Sequence, residues 1–224
     1  TKPSDLGYDD DGFLLPSLSI LPSFVHGEYV PQGELFFTKL RGISDRVRVR
    51  RETVDARMDQ LDDILDTDRG QWVIWCGLDQ EQRMVADQLG ADCVSIFGAQ
   101  TAEKKEELLE EWLAGRVRIL VTKPRICGFG LNLQRAHSMI FFGMNDSWET
   151  YYQCVRRQWR YGQVYQVNVH ILLSDIEAGI YQNICRKDGL AKRLRENLIK
   201  AVKLNERMEL GMDDHVETSY RQSE

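Results

Sequence analysis

Short, nearly uninterrupted apolar runs are the strongest constraint on this chain. Gln71-Trp72-Val73-Ile74-Trp75-Cys76 is the clearest, and Arg118-Ile119-Leu120-Val121-Thr122 repeats the pattern. A strand with one wet face alternates apolar and polar residues. A continuous run is the mark of a strand covered on both faces, as in a parallel sheet. Helical segments separate the runs, with Asp79 expected to cap the helix after the first. The order read from the sequence is helix 44–66, strand 72–76, helix 80–89, strand 93–97, helix 102–114, strand 118–122, strand 139–142, helix 148–161 and strand 166–173. That alternation implies an α/β fold with a mostly parallel sheet flanked by helices. Ligand chemistry in such sheets gathers at the carboxyl ends of strands.

Residues 1–43 carry most of the prolines and read as an N-terminal extended arm able to add an edge strand, and residues 44–174 form the α/β domain. Residues 175–224 read as a helical extension, with Ile176, Ile180 and Ile184 recurring at four-residue spacing and Leu190, Leu194 and Leu198 continuing after Gly189. No apolar run approaches a membrane span and no targeting segment is visible, so a cytoplasmic setting is expected. The five cysteines are scattered singly and read as reduced packing residues, and the four histidines are isolated, so no metal site is expected.

The net charge of −6 is uneven. From Arg116 to Gln163 there are eight Arg or Lys against two acids, whereas from Arg51 to Gly115 there are sixteen acids and six bases. Anion binding depends on local Lys and Arg, so the basic half is where phosphate chemistry is expected. Within it, Thr122 and Lys123-Pro124-Arg125-Ile126-Cys127-Gly128-Phe129-Gly130-Leu131-Asn132-Leu133 leave a strand's carboxyl end; Gly128 and Gly130 permit positive φ and close approach of a ligand to the backbone. Farther on, Ser147 can N-cap a helix with Tyr152, Val155 and Trp159 on one stripe and Gln153, Arg156, Arg157 and Arg160 on the polar side. Two guanidinium forks one turn apart suit a ligand rich in anionic oxygens, such as a triphosphate. The basic run Arg46–Arg51 opens the first long helix and reads as a solvated helix start or a nucleic-acid contact.

The spacing Q-x-x-x-R-x-x-R-x-G-Q over residues 153–163 resembles the sixth motif of Swi/Snf-like ATPases, a branch of the superfamily-two helicases and translocases. Gly128-Phe129-Gly130-Leu131-Asn132-Leu133 resembles their fifth motif, and Trp72–Cys76 their fourth. The resemblance covers Trp72 to Leu173, and Lys2–Tyr8 resembles the stretch entering the second lobe in phage-encoded members, so that a phage-like helicase is the nearest match. It implies a RecA-like lobe in which Arg157 and Arg160 are catalytic arginine fingers on the γ-phosphate, while Gln153, Gly128, Gly130 and Asn132 serve the ATP site. It further implies that Thr122, Lys123 and Arg125 contact the DNA backbone.

A complete motor of this class also needs G-x-x-x-x-G-K-[ST] and an Asp-Glu pair for Mg2+, and neither occurs in the chain. The chain begins at Thr1 without methionine, so it is expected to be the C-terminal half of a longer protein, in a bacterial or phage-infected cell. Its partners would be ATP, DNA and an N-terminal RecA-like lobe of the same polypeptide, which holds most of the ATP and Mg2+; alone it would not hydrolyse ATP. The competing expectation is a non-catalytic, motor-like scaffold or DNA-binding module.

Overall fold

Every residue of Trp72–Cys76, Ile119–Thr122 and Ser138–Phe142 is buried, which a strand achieves only with helices on both its faces. A computed structural model describes residues 14–26, 48, 50–128 and 130–209. Six strands, β1 (Leu18–Val25), β2 (Trp72–Cys76), β3 (Cys93–Ser95), β4 (Ile119–Thr122), β5 (Ser138–Phe142) and β6 (Val167–Ser174), form one sheet in the order β1-β6-β5-β2-β4-β3. All five pairings are parallel. The helices are α1 (Val54–Leu65), α2 (Asp79–Leu89), α3 (Ala102–Leu113), the single turn α4 (Pro124–Cys127), α5 (Trp148–Gln158) and α6 (Ala178–Glu209).

Side chains alternate between the sheet's two faces, so the apolar runs feed two cores at once. Trp72, Ile74, Ile119, Val121, Ile140 and Phe142 pack with Met58, Leu61 and Leu65 of α1 and Val85 of α2. On the other face, Val73, Trp75, Leu120, Met139 and Phe141 meet Trp112 of α3, Cys154 and Val155 of α5, and Ile180 and Ile184 of α6.

The expected arm does contribute the edge strand. The amide of Val167 donates to the carbonyl of Ser17 at 2.9 Å, so in the parallel register of β1 on β6 the odd residues bond inward and Pro22, which has no N–H, faces the open edge. Helix ends moved more than strands did. The first long helix is described only from residue 48, with a turn at Thr53 before α1; positions 44–47 lie outside the described residues. The third strand ends at Ser95, because the Gln100 side chain bonds the Ser95 carbonyl and the Phe97 amide and turns the chain. The carboxyl-terminal periodicity resolves into one helix through Gly189. Asp79 is the first residue of α2, whose cap position is Leu78.

A buried charge cluster closes the carboxyl end of the sheet. Glu81, on α2, accepts from Arg50 Nη2 at 2.6 Å and Arg57 Nη1 at 3.0 Å, and its second oxygen also takes the amides of Gly77 and Leu78. Arg57 is fully buried, donates to the Arg50 carbonyl, and lies 4.9 Å over the Phe142 ring. Glu177 lies 3.9 Å from Arg50 and accepts from the amide and hydroxyl of Ser174. A Cβ on Gly77 or Gly143 would come within 2.4 or 2.2 Å of Arg50, so glycine at both positions is what lets the guanidinium pass. The basic run around Arg50 is therefore neither a solvated helix start nor a nucleic-acid contact at that residue: Arg50 is 6% exposed and spent on internal carboxylates. Glu81→Ala strands two buried guanidinium groups and is expected to cost about 3–5 kcal/mol, read from urea unfolding. A loss below about 1 kcal/mol would mean that water reaches the cluster.

Candidate nucleotide and nucleic-acid interfaces

The two candidate sites lie at opposite ends of α5. A crossover helix between parallel strands has to run back against them, so α5 starts where β5 ends and finishes where β5 and β6 begin. Ser147 caps its start, accepting from the Thr150 amide at 3.2 Å, as the sequence indicated. At its finish, Gln158 donates to the carbonyl of Ser138, the first residue of β5, and Gln163 to that of Ala136. The arginines thus sit at the amino ends of the strands, not at the carboxyl ends that the general rule for open sheets led one to expect.

The helix also stops earlier than expected. Trp159 leaves helical geometry at ψ 81° while its indole donates to the Pro16 carbonyl at 2.8 Å, a tertiary bond to the segment before β1. Arg157 is on the helix and Arg160 is beyond it, so the two do not share a helical face. Arg157 is held: Nε donates to the Gln153 carbonyl at 3.1 Å, Nη2 to Gln153 Oε1 at 3.0 Å, and Nη1 reaches the Leu131 carbonyl at 3.4 Å. One N–H on each terminal nitrogen stays uncommitted. Arg160 is half-buried, and its guanidinium has no hydrogen-bond or ion-pair partner among the described residues. Arg156 lies 5.3 Å over the Trp159 ring.

The glycine loop closes on the same end. The Leu133 amide donates to the Arg157 carbonyl at 3.0 Å, Gln134 bonds the Tyr161 carbonyl, and Asn132 exchanges hydrogen bonds with Gln134. Gly130 has φ 78° and an exposed backbone, where a Cβ would be strained. Gly128 differs from expectation: its φ is −73°, and glycine fits there because a Cβ would press within 2.2 Å of the Pro124 carbonyl. So Gln153, Arg157 and the loop from Gly130 to Gln134 meet at this end of α5, with the Arg160 backbone joined to them through Gln134, while Gly128 is buried. Cys154 is buried in the core and burial pushes its thiol well up, consistent with packing.

The opposite face carries a cleft of about 480 Å³ at the carboxyl ends of β2, β4 and β5, lined by Lys123, Arg125, Met144, Asn145, Ser147 and Thr150. Lys123 is bound to Asp79 at 2.5 Å, and that bond holds the Asp79 carboxyl below its ordinary range. Arg125 is exposed. Thr122 is fully buried and donates inward to the Ile96 carbonyl at 3.2 Å, so it presents no hydroxyl to the cleft. The sequence showed Thr122 beside two basic residues; the partner that turns it inward is 26 residues away.

Residues 56–162 match the helicase conserved C-terminal domain family. The fold is shared with the C-terminal part of the Fun30 ATPase domain (24% identity over 57% of this chain and 44% of that one, TM-score 0.51) and with the C-terminal domain of the DEAD-box protein Dbp5 (12% identity over 77% of this chain and 86% of that one, TM-score 0.57). No curated protein sequence matches significantly. The chain spans under half the length of the Fun30 structure. Residues 56–162 are thus similar to a helicase C-terminal domain, and the all-parallel sheet flanked by helices is the RecA-like fold of those two C-terminal domains. Among the described residues no helix is long and apolar enough to cross a membrane.

Thr122→Val should lower stability by about 1 kcal/mol, the net worth of one internal hydrogen bond, with nucleic-acid affinity unchanged. A several-fold loss of affinity at unchanged stability, measured by fluorescence anisotropy alongside thermal melting, would place the hydroxyl on the ligand instead.

Proposed function

We propose that this lobe completes the ATP site of a Swi/Snf-like DNA translocase, with its arginine face turned to the nucleotide and its basic cleft turned to the DNA backbone. The observation that supports this most is that Arg157, Arg160, Gly130 and Asn132 come together at the finish of α5, away from Lys123 and Arg125 at its start. The donor set there is guanidinium and amide, with no cluster of three His, Cys, Asp or Glu among the described residues. That set fits phosphate oxygens, and Mg2+ is assigned to the partner lobe.

In this reading the N-terminal lobe cradles ATP and the two lobes close on it. Charge that develops on the transferring phosphoryl group is met by two guanidinium groups in a space that closure dries, where fixed donors count for more than in water. Gln153 pre-orients Arg157, so that little rotamer freedom is lost when it engages. Arg160, unpartnered in the open lobe, supplies the second fork. Gly130 lets the backbone approach the nucleotide, and Asn132 lies at the edge where a ribose would sit. Lys123 and Arg125 neutralise backbone phosphates without reading bases.

In the intact protein, Arg160→Ala should cut DNA-stimulated ATP turnover on the order of a thousandfold while the melting temperature stays close to wild type. Arg160→Lys should rescue poorly, because one ammonium does not reproduce a planar fork. Arg156→Ala, which removes only the contact with Trp159, is the control and should retain most activity. Equal turnover in Arg156→Ala and Arg160→Ala, in folded and DNA-binding protein, would end the finger assignment.

A further inference from the structure

Lys123 reaches the rim of the basic cleft with its charge already answered. Its ammonium is 2.5 Å from Asp79 Oδ1, and the pair joins the start of α2 to the end of β4 across 44 residues of chain. The two ends of the pair differ in exposure: the lysine side chain is 17% exposed and the aspartate 75%. The other cations of the cleft are arranged differently. Arg50 is consumed by Glu81 and lies near Glu177, while Arg125 is exposed with no hydrogen-bond or ion-pair partner among the described residues. Arg83, a turn farther along α2, adds a second positive neighbour to Asp79.

We propose that Asp79 sets the strength of the lobe's grip on nucleic acid, its carboxylate filling the place on the Lys123 ammonium that a backbone phosphate takes on binding. This rests on the nucleic-acid reading of the cleft. The exchange replaces one singly charged oxygen ligand by another of the same kind. An ion pair with an exposed partner is worth little net stability, so water and a phosphate displace it at small cost. An acid that stays beside the incoming phosphate, however, repels it, and a lysine whose charge is partly offset neutralises less of the phosphate, so that fewer of the counterions condensed on the DNA are released. Both effects weaken the bound state. For a motor that must let go of its track in each cycle, a weakened contact at the strand-end loop favours release. Asp79 is then a positioning and affinity-setting residue that does not itself touch nucleic acid.

The test is a salt titration of duplex binding by the intact protein, using fluorescein-labelled DNA and fluorescence anisotropy. Asp79→Asn keeps the size of the side chain and removes its charge. It should tighten binding roughly three- to tenfold at low salt and steepen the slope of log K against log[salt] by about 0.9, the value for one added phosphate contact. The double variant Asp79→Asn/Lys123→Ala should bind like Lys123→Ala alone, because the gain acts through the lysine. Asp79→Asn binding with wild-type or weaker affinity and an unchanged slope, while Arg125→Ala weakens binding, overturns the role of Asp79 and leaves the cleft reading standing. If Lys123→Ala and Arg125→Ala both leave affinity and slope unchanged, the nucleic-acid reading of the cleft fails and this proposal fails with it.

Discussion

Two arginines and two glutamates sealed under the carboxyl ends of the strands hold the parts of this lobe in register. Arg50, Arg57, Glu81 and Glu177 have side chains between 0% and 8% exposed. Buried charges do not stabilise a fold merely by being paired, since each loses several kcal/mol of hydration. Here much of the loss is offset at Glu81, which accepts from two guanidinium groups and two backbone amides, and at Arg57, which donates to two backbone carbonyls besides; Arg57 Nε and Glu177 Oε1 keep no hydrogen-bond partner. The bonds run between the turn before α1, α1 itself, the β2–α2 junction, the end of β5 and the segment after β6. A shift of any of these elements leaves a charge unpaired in the core. The cluster thereby fixes the floor of the basic cleft, with Gly77 and Gly143 kept small to admit Arg50.

From that fixed end α5 runs to the other. Its first turns, at Ser147 and Thr150, line the cleft, and its last residues carry Arg157 to the glycine loop. Eleven helical residues span roughly 16 Å at 1.5 Å each. Under the proposed function this helix links the two sites mechanically: closure on nucleotide pulls on its arginine end, and the cleft feels the movement at its capped end. A parallel sheet enforces that separation, because the helix between β5 and β6 has no other way to return to the starting edge.

The positions of β2 to β6 were legible in the sequence to within two residues, because a continuous apolar run bounded by polar residues leaves little choice of register; β1, interrupted by Pro22, was legible only as an arm able to add an edge strand. The glycine loop and Arg157, separate motifs in the sequence, do meet, through the Leu131 carbonyl and the Leu133 amide. What stayed hidden depends on partners far along the chain. The early end of α5 comes from Trp159 bonding Pro16, 143 residues away. Arg50 looked solvated in a run of arginines, and only Glu81, 31 residues on, shows why it is buried. Thr122 sits between an apolar strand and a lysine, and nothing local tells that its hydroxyl turns to Ile96. Asp79 looked like a helix cap, the commonest use of aspartate at that position, and instead bonds a lysine on another strand's end.

Under the proposed function this lobe brings guanidinium groups to the γ-phosphate of a nucleotide held by a partner lobe. Its most direct test is a crystal or cryo-EM structure of the intact protein trapped on DNA with ADP and aluminium fluoride, which imitates the transferring phosphoryl group. Arg160 and the free N–H groups of Arg157 should then lie within hydrogen-bonding distance of the fluoride ligands, with Gln153 still holding Arg157. Closed lobes with both guanidinium groups left in solvent, or with the fluoride ligands met only by the N-terminal lobe, would contradict it.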